Sequence, residues 1–308
     1  TFDLSEVILG FDAFALGNPK PHPFLPVNPY LCAMNHLYDH IQQAVQFIQS
    51  RTRIQPRLGI ILGTGLGNLT DEIEVETELE YADIPHFPVS TVDSHKGRLV
   101  LGHFAGVPVV CMAGRFHYYE GYSMQQVTFP VRVMKFLGIE RLVISNASGG
   151  LNPDYQAGDV VLIKDHINMM PENPLRGIND ERLGPRFPDM TQVYDRQLNA
   201  RALEIAAQHG IRAHEGVYWG LQGPNLETPA EYQLMHRMGA DIVGMSTVPE
   251  VIVARQSGLP LLVISVVANQ GNPEVAVGET TVEDVIAAVA AAEPGMRRIV
   301  RELVGEMV

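Results

Sequence analysis

Cysteine is scarce in this sequence: Cys32 and Cys111 are the only two among 308 residues. Two thiols cannot build a disulfide framework, and Cys111 lies in an apolar strand pattern, where a thiol acts as a small hydrophobic residue. This cysteine usage fits a reducing compartment, so we expect a cytoplasmic protein.

An excess of basic residues is also missing. The chain has 22 Lys and Arg against 35 Asp and Glu, for a net charge of −13. Nucleic-acid binding needs a basic face, so a nucleic-acid partner is excluded. The overall field repels anions, and an anionic substrate must therefore be held by local groups.

Long hydrophobic runs are absent as well. No stretch approaches 18 apolar residues without a charge or a turn former, so we expect no membrane partner. The start of the chain lacks the basic region of a secretory signal. Residues 1–34, rich in Pro and aromatics, are expected to be an extension outside the fold, with one domain over 35–308.

What the sequence does contain is an alternation of apolar runs and helical patterns. Strands are predicted at 57–63, 98–104, 107–113, 141–147, 159–167, 216–223, 241–246 and 260–269. Such continuous apolar strands are buried on both faces. A hairpin turn is expected at Ala105 and Gly106, which makes the sheet mixed. The predicted fold class is a single-domain α/β fold, with a mixed twisted sheet flanked by helices.

Three helix starts carry a recognisable signature. "TPAE" (228–231) is a capping box with Pro at the first helical position, and Gly239 ends that helix. "TVPE" (247–250) repeats the signature, with Gly258 at the end. "TTVE" (280–283) opens the last helix, which we expect Pro294 to interrupt.

The glycine-rich stretch "ILGTGLGNL" (61–69) follows a predicted strand. Backbone N–H groups and the Thr64 hydroxyl there can approach an anion closely. Asn68 occupies the third glycine position of G-x-G-x-x-G, and no Lys-Ser/Thr pair follows, so this is neither dinucleotide motif nor Walker loop. A simple tight turn remains an equal alternative.

The stretch "GRFHYYEGY" (114–122) places several polar groups directly after a buried strand. Arg115 offers a planar fork suited to phosphate, His117 a further hydrogen bond, and Tyr119 a flat ring with a hydroxyl. The alternative is an internal Arg115–Glu120 pair with packed tyrosines.

Ser246 in "GMSTVPE" (244–250) ends a strand beside a helix start, a third possible anion contact. Three such contacts at strand ends favour a phosphate bound in one crevice, although a capping role for Ser246 stays open. Glu227, just before a helix in "GPNLETPAE" (223–231), and Asn269, at a strand end in "SVVANQGN" (265–272), suit the edge of a heterocycle. Alone, Glu227 is equally well explained by the helix dipole.

Other chemistries lack support. G-x-S-x-G is broken at Val248, which argues against an α/β-hydrolase. His36 and His40 stand four apart without a third ligand, so we expect no metal site and no cofactor.

Seven motifs in order resemble the trimeric purine nucleoside phosphorylases: "GTGLG", "SHKGRLVLG", "GRFHYYEGY", "SNASGGLN", "NDERLGPRFPDM", "GPNLETPAE" and "GMSTVPEVIVAR". The match covers about 35–305. It implies a nucleoside phosphorylase fold with a distorted barrel, a homotrimer, and purine salvage. The implied reaction is reversible phosphorolysis of purine (deoxy)ribonucleosides to free base and (deoxy)ribose 1-phosphate, with phosphate as co-substrate.

The resemblance also implies roles for individual residues. Those expected at phosphate are Thr64, His95, Arg115, His117, Ser246 and the Ala147 backbone N–H. Those expected at the ribose are Tyr119, Met245 and Val282, and those at the purine are Ala147, Leu226, Glu227, Val243 and Asn269. Asn269, Glu227 and His117 are the expected catalytic residues. An ionised Glu227 would accept N1–H, which predicts a preference for 6-oxopurines over adenine.

Four positions depart from the family pattern. Leu226 stands for a Phe, Ala268 for a Thr, and Leu183 for the Phe that reaches the neighbouring subunit's site. Val282 stands where many members have the His that binds the 5′-hydroxyl, which resembles the methylthioadenosine phosphorylases. A 5′-methylthioinosine phosphorylase is therefore an alternative, with a nucleoside hydrolase and a non-catalytic nucleotide-binding protein as more distant ones.

Overall fold

The computed structural model describes residues 36–63, 67–91, 96–271 and 281–307. Within these ranges the helices are α1 (Leu37–Gln49), α2 (Met124–Leu137), α3 (Arg196–Gln208), α4 (Pro229–Arg237), α5 (Val248–Gln256) and α6 (Val282–Gly305). The strands are β1 (Leu58–Leu62), β2 (Glu74–Glu80), β3 (Arg98–Phe104), β4 (Val107–Ala113), β5 (Arg141–Gly150), β6 (Val160–Asn168), β7 (Ala213–Gly220), β8 (Ile242–Gly244) and β9 (Leu261–Gln270). Short 3₁₀ turns occupy Gly67–Glu72, Tyr81–Asp83, Tyr118–Glu120 and Glu181–Leu183.

The described strands form one mixed sheet in the order β2-β3-β4-β1-β5-β8-β7-β6-β9. A further pairing between β5 and β9 closes its second half into a five-stranded ring, β5-β8-β7-β6-β9. Strands β1, β4, β5 and β9 run parallel through the pairs β1–β4, β1–β5 and β5–β9. The predicted mixed α/β fold, with a distorted barrel flanked by helices, is confirmed.

All eight predicted strand segments contain a strand, with shifts of a few residues at some ends. The hairpin between β3 and β4 turns at Ala105 (φ 49°) and Gly106 (φ 83°), as two-residue hairpins require. Strand β2 is an additional one. Its sequence, "EVETELE", has no buried residue and pairs only with β3 at the edge of the sheet, so no apolar run announces it.

Helices cover both faces of the sheet, and the described residues form two large hydrophobic cores and a smaller third one. The first packs α1, α2 and α5 against the sheet, the second packs α3 and α6, and the third contains Tyr232 and Met235 of α4. Loops at the strand ends between these layers carry the polar motifs. The polar motifs therefore lie at the edge of the sheet where strands β1, β4, β5 and β9 have their carboxyl ends.

The last helix corrects one expectation, because α6 continues through Pro294. Its capping box is Thr281 with Asp284, one residue later than predicted. Met296 and Ile299, beyond the proline, are fully buried against the second core. Burial of this apolar face outweighs the hydrogen bond that a proline removes.

None of the helices in the described ranges has both the length and the apolarity to cross a bilayer. No set of three His, Cys, Asp or Glu side chains in these ranges is arranged to hold a metal ion.

Candidate active site

The parallel strands bring three of the predicted motifs to one edge of the sheet, because parallel strands end on the same side. Gly63 follows β1, Arg115 follows β4 after one glycine, and Asn269 lies at the end of β9. A Cβ on Gly63 would lie 3.0 Å from Nη1 of Arg115. The end of β1, at Gly63, and the Arg115 motif are therefore neighbours.

Arg115 is the most buried charged side chain of the edge, with an exposed fraction of 1%. Its Nη1 donates to Oγ of Ser246 (2.9 Å), and its Nη2 donates to Oε2 of Glu250 (3.0 Å). Among the described residues, its Nε has no hydrogen-bond partner. A buried guanidinium with an unpartnered N–H, beside Gly63 and a serine, fits an oxyanion ligand.

The alternative of an internal Arg115–Glu120 pair is wrong. Glu250, which is 3% exposed on α5, is the carboxylate that pairs with Arg115. The sequence pattern predicted that Glu250 belongs to a helix cap. Its position within the apolar run "VPEVIVA" could have indicated that it is buried and paired with a cation.

Glu120 instead closes its own turn. One carboxylate oxygen accepts from the backbone N–H of His117 (2.7 Å) and lies 3.2 Å from its Nδ1, and the other accepts from the hydroxyl of Thr91 (2.6 Å). Burial raises the Glu120 pKa, but the hydrogen bonds from His117 and Thr91 lower it by more than burial raises it, and the result is a pKa of about 2. Glu120 is thus ionised, and its hydrogen bonds hold the turn against Thr91.

His117 and Tyr119 project from this turn as a stacked pair, with ring centroids 4.7 Å apart and an angle of 15°. Burial lowers the His117 pKa, and Arg115 lowers it further, while the bond to Glu120 raises it. The net effect is a neutral imidazole at pH 7 whose orientation Glu120 fixes.

Ser246 stands at the start of α5, as the sequence predicts, but its neighbour Thr247 does not cap the helix. Thr247 has φ 68° and makes no side-chain cap bond. Its Oγ1 instead accepts from the buried amide of Asn146 (2.9 Å). A β-branched residue in this region is strained, and such strain persists where the surroundings fix it. Asn146 and Thr247 thus support Ser246, a role that the sequence did not reveal.

The predicted purine side is built around Gly149 on β5. Gly149 pairs with Val243 of β8 and with Asn269 of β9. A Cβ on Gly149 would lie 3.1 Å from Cγ1 of Val243 and 3.3 Å from Oδ1 of Asn269. A side chain at Gly149 would therefore crowd these two predicted base contacts, and glycine lets them approach each other. Ala147, two residues earlier on the same strand, is half-buried.

Glu227 and its neighbours lie on the loop between β7 and α4. Glu227 is half-buried, and burial raises its pKa. Met245 is half-buried against Gly223 of this loop, since a Cβ there would lie 2.3 Å from its Sδ. Leu226 is 54% exposed. Met245 thus packs against the loop that carries Glu227, whereas Leu226 faces outward in this chain.

Three predicted positions cannot be placed. Thr64 and His95 lie outside the described residues, and of Val282 only the backbone, at the first position of α6, is described. Their predicted roles at phosphate and at the 5′ position stay predictions.

Leu183, which stands for the family's Phe in this motif, is buried in this structure. It is 7% exposed and packs in the core of its own chain. Phe187, four residues later in the same motif, is 87% exposed. Phe187 is thus the aromatic of this motif that can reach outward.

Comparisons with known proteins agree with this geometry. Residues 57–305 match the phosphorylase superfamily. The chain is similar to purine nucleoside phosphorylase 1 of Geobacillus stearothermophilus (54% identity, 74% of this chain and 84% of the relative). It is also similar to purine nucleoside phosphorylase of Bos taurus (48% identity, 77% and 84%). A schistosome purine nucleoside phosphorylase solved with hypoxanthine superposes with a TM-score of 0.83 (40% identity, 88% of this chain and 98% of that chain). The chain belongs to the purine nucleoside phosphorylases of the phosphorylase superfamily.

Proposed function

We propose that this chain cleaves 6-oxopurine ribonucleosides and deoxyribonucleosides with inorganic phosphate, giving the free base and (deoxy)ribose 1-phosphate. Family membership supports phosphorolysis of purine nucleosides, and the hypoxanthine bound to the schistosome relative is a 6-oxopurine. Phosphate is the co-substrate in this proposal, and no cofactor takes part.

The observation that carries the proposal is the arrangement of two polar sites along one strand edge. Arg115 and Ser246 form an anion site beside the middle of β5, next to the Gly63–Ser145 hydrogen bond (3.1 Å). Asn269 and Val243 flank Gly149, closer to the carboxyl end of the same strand. A nucleoside lying along β5 would therefore meet phosphate at its sugar and an amide at its base.

The chemistry follows from this placement. As the C1′–N9 bond breaks, positive charge develops on the sugar and negative charge on the purine. Phosphate beneath the sugar stabilises the cation and then forms the C1′–O bond. The Asn269 amide, donating on the N7/O6 side, meets charge that is largest in the transition state, where an interaction raises the rate. Tyr119, held by its stack on His117, covers the ribose.

The 6-oxopurine preference rests on Glu227. An ionised carboxylate accepts from N1–H of hypoxanthine or guanine, and from the guanine 2-amino group. Adenine has no N1–H, so the same carboxylate would remain unpaired against it, at a cost of several powers of ten in specificity.

The experiment is release of base from inosine, guanosine, adenosine and 5′-methylthioinosine, each with and without phosphate. We expect phosphate-dependent turnover of inosine and guanosine and little of adenosine. Turnover without phosphate would contradict the role of Arg115, and adenosine turnover close to that of inosine would contradict the role of Glu227. Faster cleavage of 5′-methylthioinosine than of inosine would support the 5′-methylthio alternative and give Val282 a central role.

We also propose that the chain acts as a homotrimer in the cytoplasm. The exposed Met169, Ile178 and Phe187 support contact with a neighbouring subunit, because exposed apolar side chains concentrated in one segment mark an interaction surface. Cys111 supports a reducing compartment, since it is a buried thiol whose pKa burial raises, which leaves it chemically inert.

A further inference from the structure

Tyr232 is a buried tyrosine that neither the motifs nor the proposed reaction uses. Its side chain is 3% exposed, on the second turn of α4. It hydrogen-bonds the side chains of both Glu227 and Asn269, the two groups proposed to hold the purine. Tyr232 therefore lies between the two ends of the proposed base site.

The start of α4 explains how Tyr232 reaches Glu227. Thr228 is the N-cap and accepts from the N–H of Glu231, so Glu227 precedes the cap and Tyr232 is the fourth helical residue. In capped helices the side chains at these two positions pack together, usually as an apolar pair. Here a carboxylate and a phenol occupy them, which converts a packing contact into a hydrogen bond.

The end of β9 explains the second contact. A Cβ on Gly271 would lie 2.6 Å from Cε1 of Tyr232, so the ring packs directly on the backbone two residues after Asn269. The N–H of Gly271 donates to the carbonyl of Gly150 (2.7 Å), which fixes this backbone against β5. The same buried cluster contains Val243, the predicted base contact.

The chemistry of the three groups sets the direction of the bonds. An ionised carboxylate only accepts, so the Tyr232 hydroxyl donates to Glu227. The phenol oxygen then accepts a hydrogen bond from the side chain of Asn269, in which the NH₂ group is the donor and the oxygen can only accept. This turns the Asn269 NH₂ toward Tyr232 and agrees with Oδ1 lying on the Gly149 side.

We propose that Tyr232 is a positioning residue for purine recognition, whose hydroxyl joins Glu227 to Asn269 and so fixes how the carboxylate and the amide face the base. The proposal rests on the proposed function. Burial raises the Glu227 pKa, and the Tyr232 hydrogen bond opposes this rise. Without the hydroxyl, Glu227 would take up a proton at higher pH, lose its acceptor role toward N1–H, and gain an O–H able to donate to N1 of adenine.

The test is Tyr232→Phe, with kcat/KM for inosine and adenosine measured from pH 5 to 8. We expect kcat/KM for inosine at pH 7 to fall about tenfold, the size of one hydrogen bond to a charged group. The acidic limb of the inosine profile should move to higher pH, and the inosine-to-adenosine ratio at pH 6.5 should fall. Gly271→Ala, which displaces the Tyr232 ring, should change the limb and the ratio in the same direction.

The matched control is Tyr194→Phe. Tyr194 is also buried, and its hydroxyl is 2.8 Å from Nδ1 of His166. It lies in the core that α1, α2 and α5 form, away from the cluster around Tyr232. This variant should leave the limb and the ratio unchanged. If Tyr232→Phe, folded by circular dichroism, keeps the wild-type limb and ratio, or lowers both substrates equally, the positioning role is overturned. If the wild type shows no phosphate-dependent cleavage of inosine, it is the proposed function that fails.

Discussion

Arg115 is the residue on which phosphate binding depends most directly. Its guanidinium already holds Ser246 and Glu250, which fixes the plane that faces the ligand. In Arg115→Lys a single ammonium replaces the fork while the positive charge stays. We expect kcat/KM for phosphate to fall between about tenfold and a hundredfold, mainly through KM, because one ammonium cannot keep the bonds to Ser246 and Glu250 and also replace the Nε–H. Initial rates at varied phosphate and saturating inosine measure this.

Arg132→Lys is the control for this prediction. Arg132 is another buried arginine (5% exposed), whose Nη2 donates to Oε1 of Gln256 (2.9 Å). Its replacement should lower stability and leave the KM for phosphate unchanged. Equal effects of the two variants on that KM would mean that Arg115 acts through packing alone.

Individual residues were predictable where a motif joined a polar group to a strand end, as for Arg115 and Ser246. They were not predictable where two distant segments meet. Glu250 and Asn146 resemble ordinary helix and strand residues in the sequence, and only the fold shows that they hold Arg115 and Thr247. Tyr232 is the clearest example, since its two partners lie on different elements.

At the level of elements, the 3₁₀ turn Tyr118–Glu120 depends on the charge of Glu120. The Glu120 pKa is about 2 in the folded chain, below its ordinary value of 4.5. A lowered pKa stabilises the fold above the ordinary value, and this contribution is lost as the pH falls from about 4.5 toward 2. We expect Glu120→Gln to lower stability at pH 7 by about 1–2 kcal/mol, and the gap to narrow below pH 4.5. Thermal unfolding at pH 7 and pH 3.5 measures both. A gap that is constant over this range would contradict the prediction.

The junction between β8 and α5 gives a second prediction. Thr247 accepts from the buried amide of Asn146, so Thr247→Val, of the same shape, leaves that amide without its acceptor. We expect a loss of about 1–3 kcal/mol of stability and a several-fold rise in KM for phosphate, because Ser246 is adjacent. Urea unfolding and phosphate kinetics measure these effects.

Thr247→Ser is the control at this junction, since it keeps the hydroxyl. It should resemble the wild type in KM for phosphate. If Val and Ser at this position behave alike, the hydrogen bond from Asn146 does not support the site.

The elements themselves were largely predictable because their signals are local. Apolar runs marked eight strands, and Thr228 and Gly239 marked the two ends of α4. Two features were decided by tertiary contacts. Strand β2 is polar and exists by pairing with β3, and α6 crosses Pro294 because its apolar face is buried. The closure of β5 on β9 has no local sequence signal at all.

At the scale of the whole molecule, the prediction is the proposed trimer, and the mass of the assembly in solution tests it. Met169, Ile178 and Phe187 are all exposed, and they belong to one segment between β6 and α3. Exposed apolar side chains concentrated in one segment mark an interaction surface. Light scattering on a size-exclusion column should give about 100 kDa, three times the 33.9 kDa of one chain.

Phe187→Ser separates assembly from site architecture. If Phe187 reaches a neighbour's nucleoside site, the variant should stay trimeric and its KM for inosine should rise about tenfold, while its KM for phosphate should not change, because an aromatic at the nucleoside does not touch the anion. If Phe187 only holds subunits together, the mass should fall and both constants should change together. A wild-type mass of one chain with full activity would contradict the trimer, and would make each chain, closed by its own β5–β9 ring, a complete enzyme.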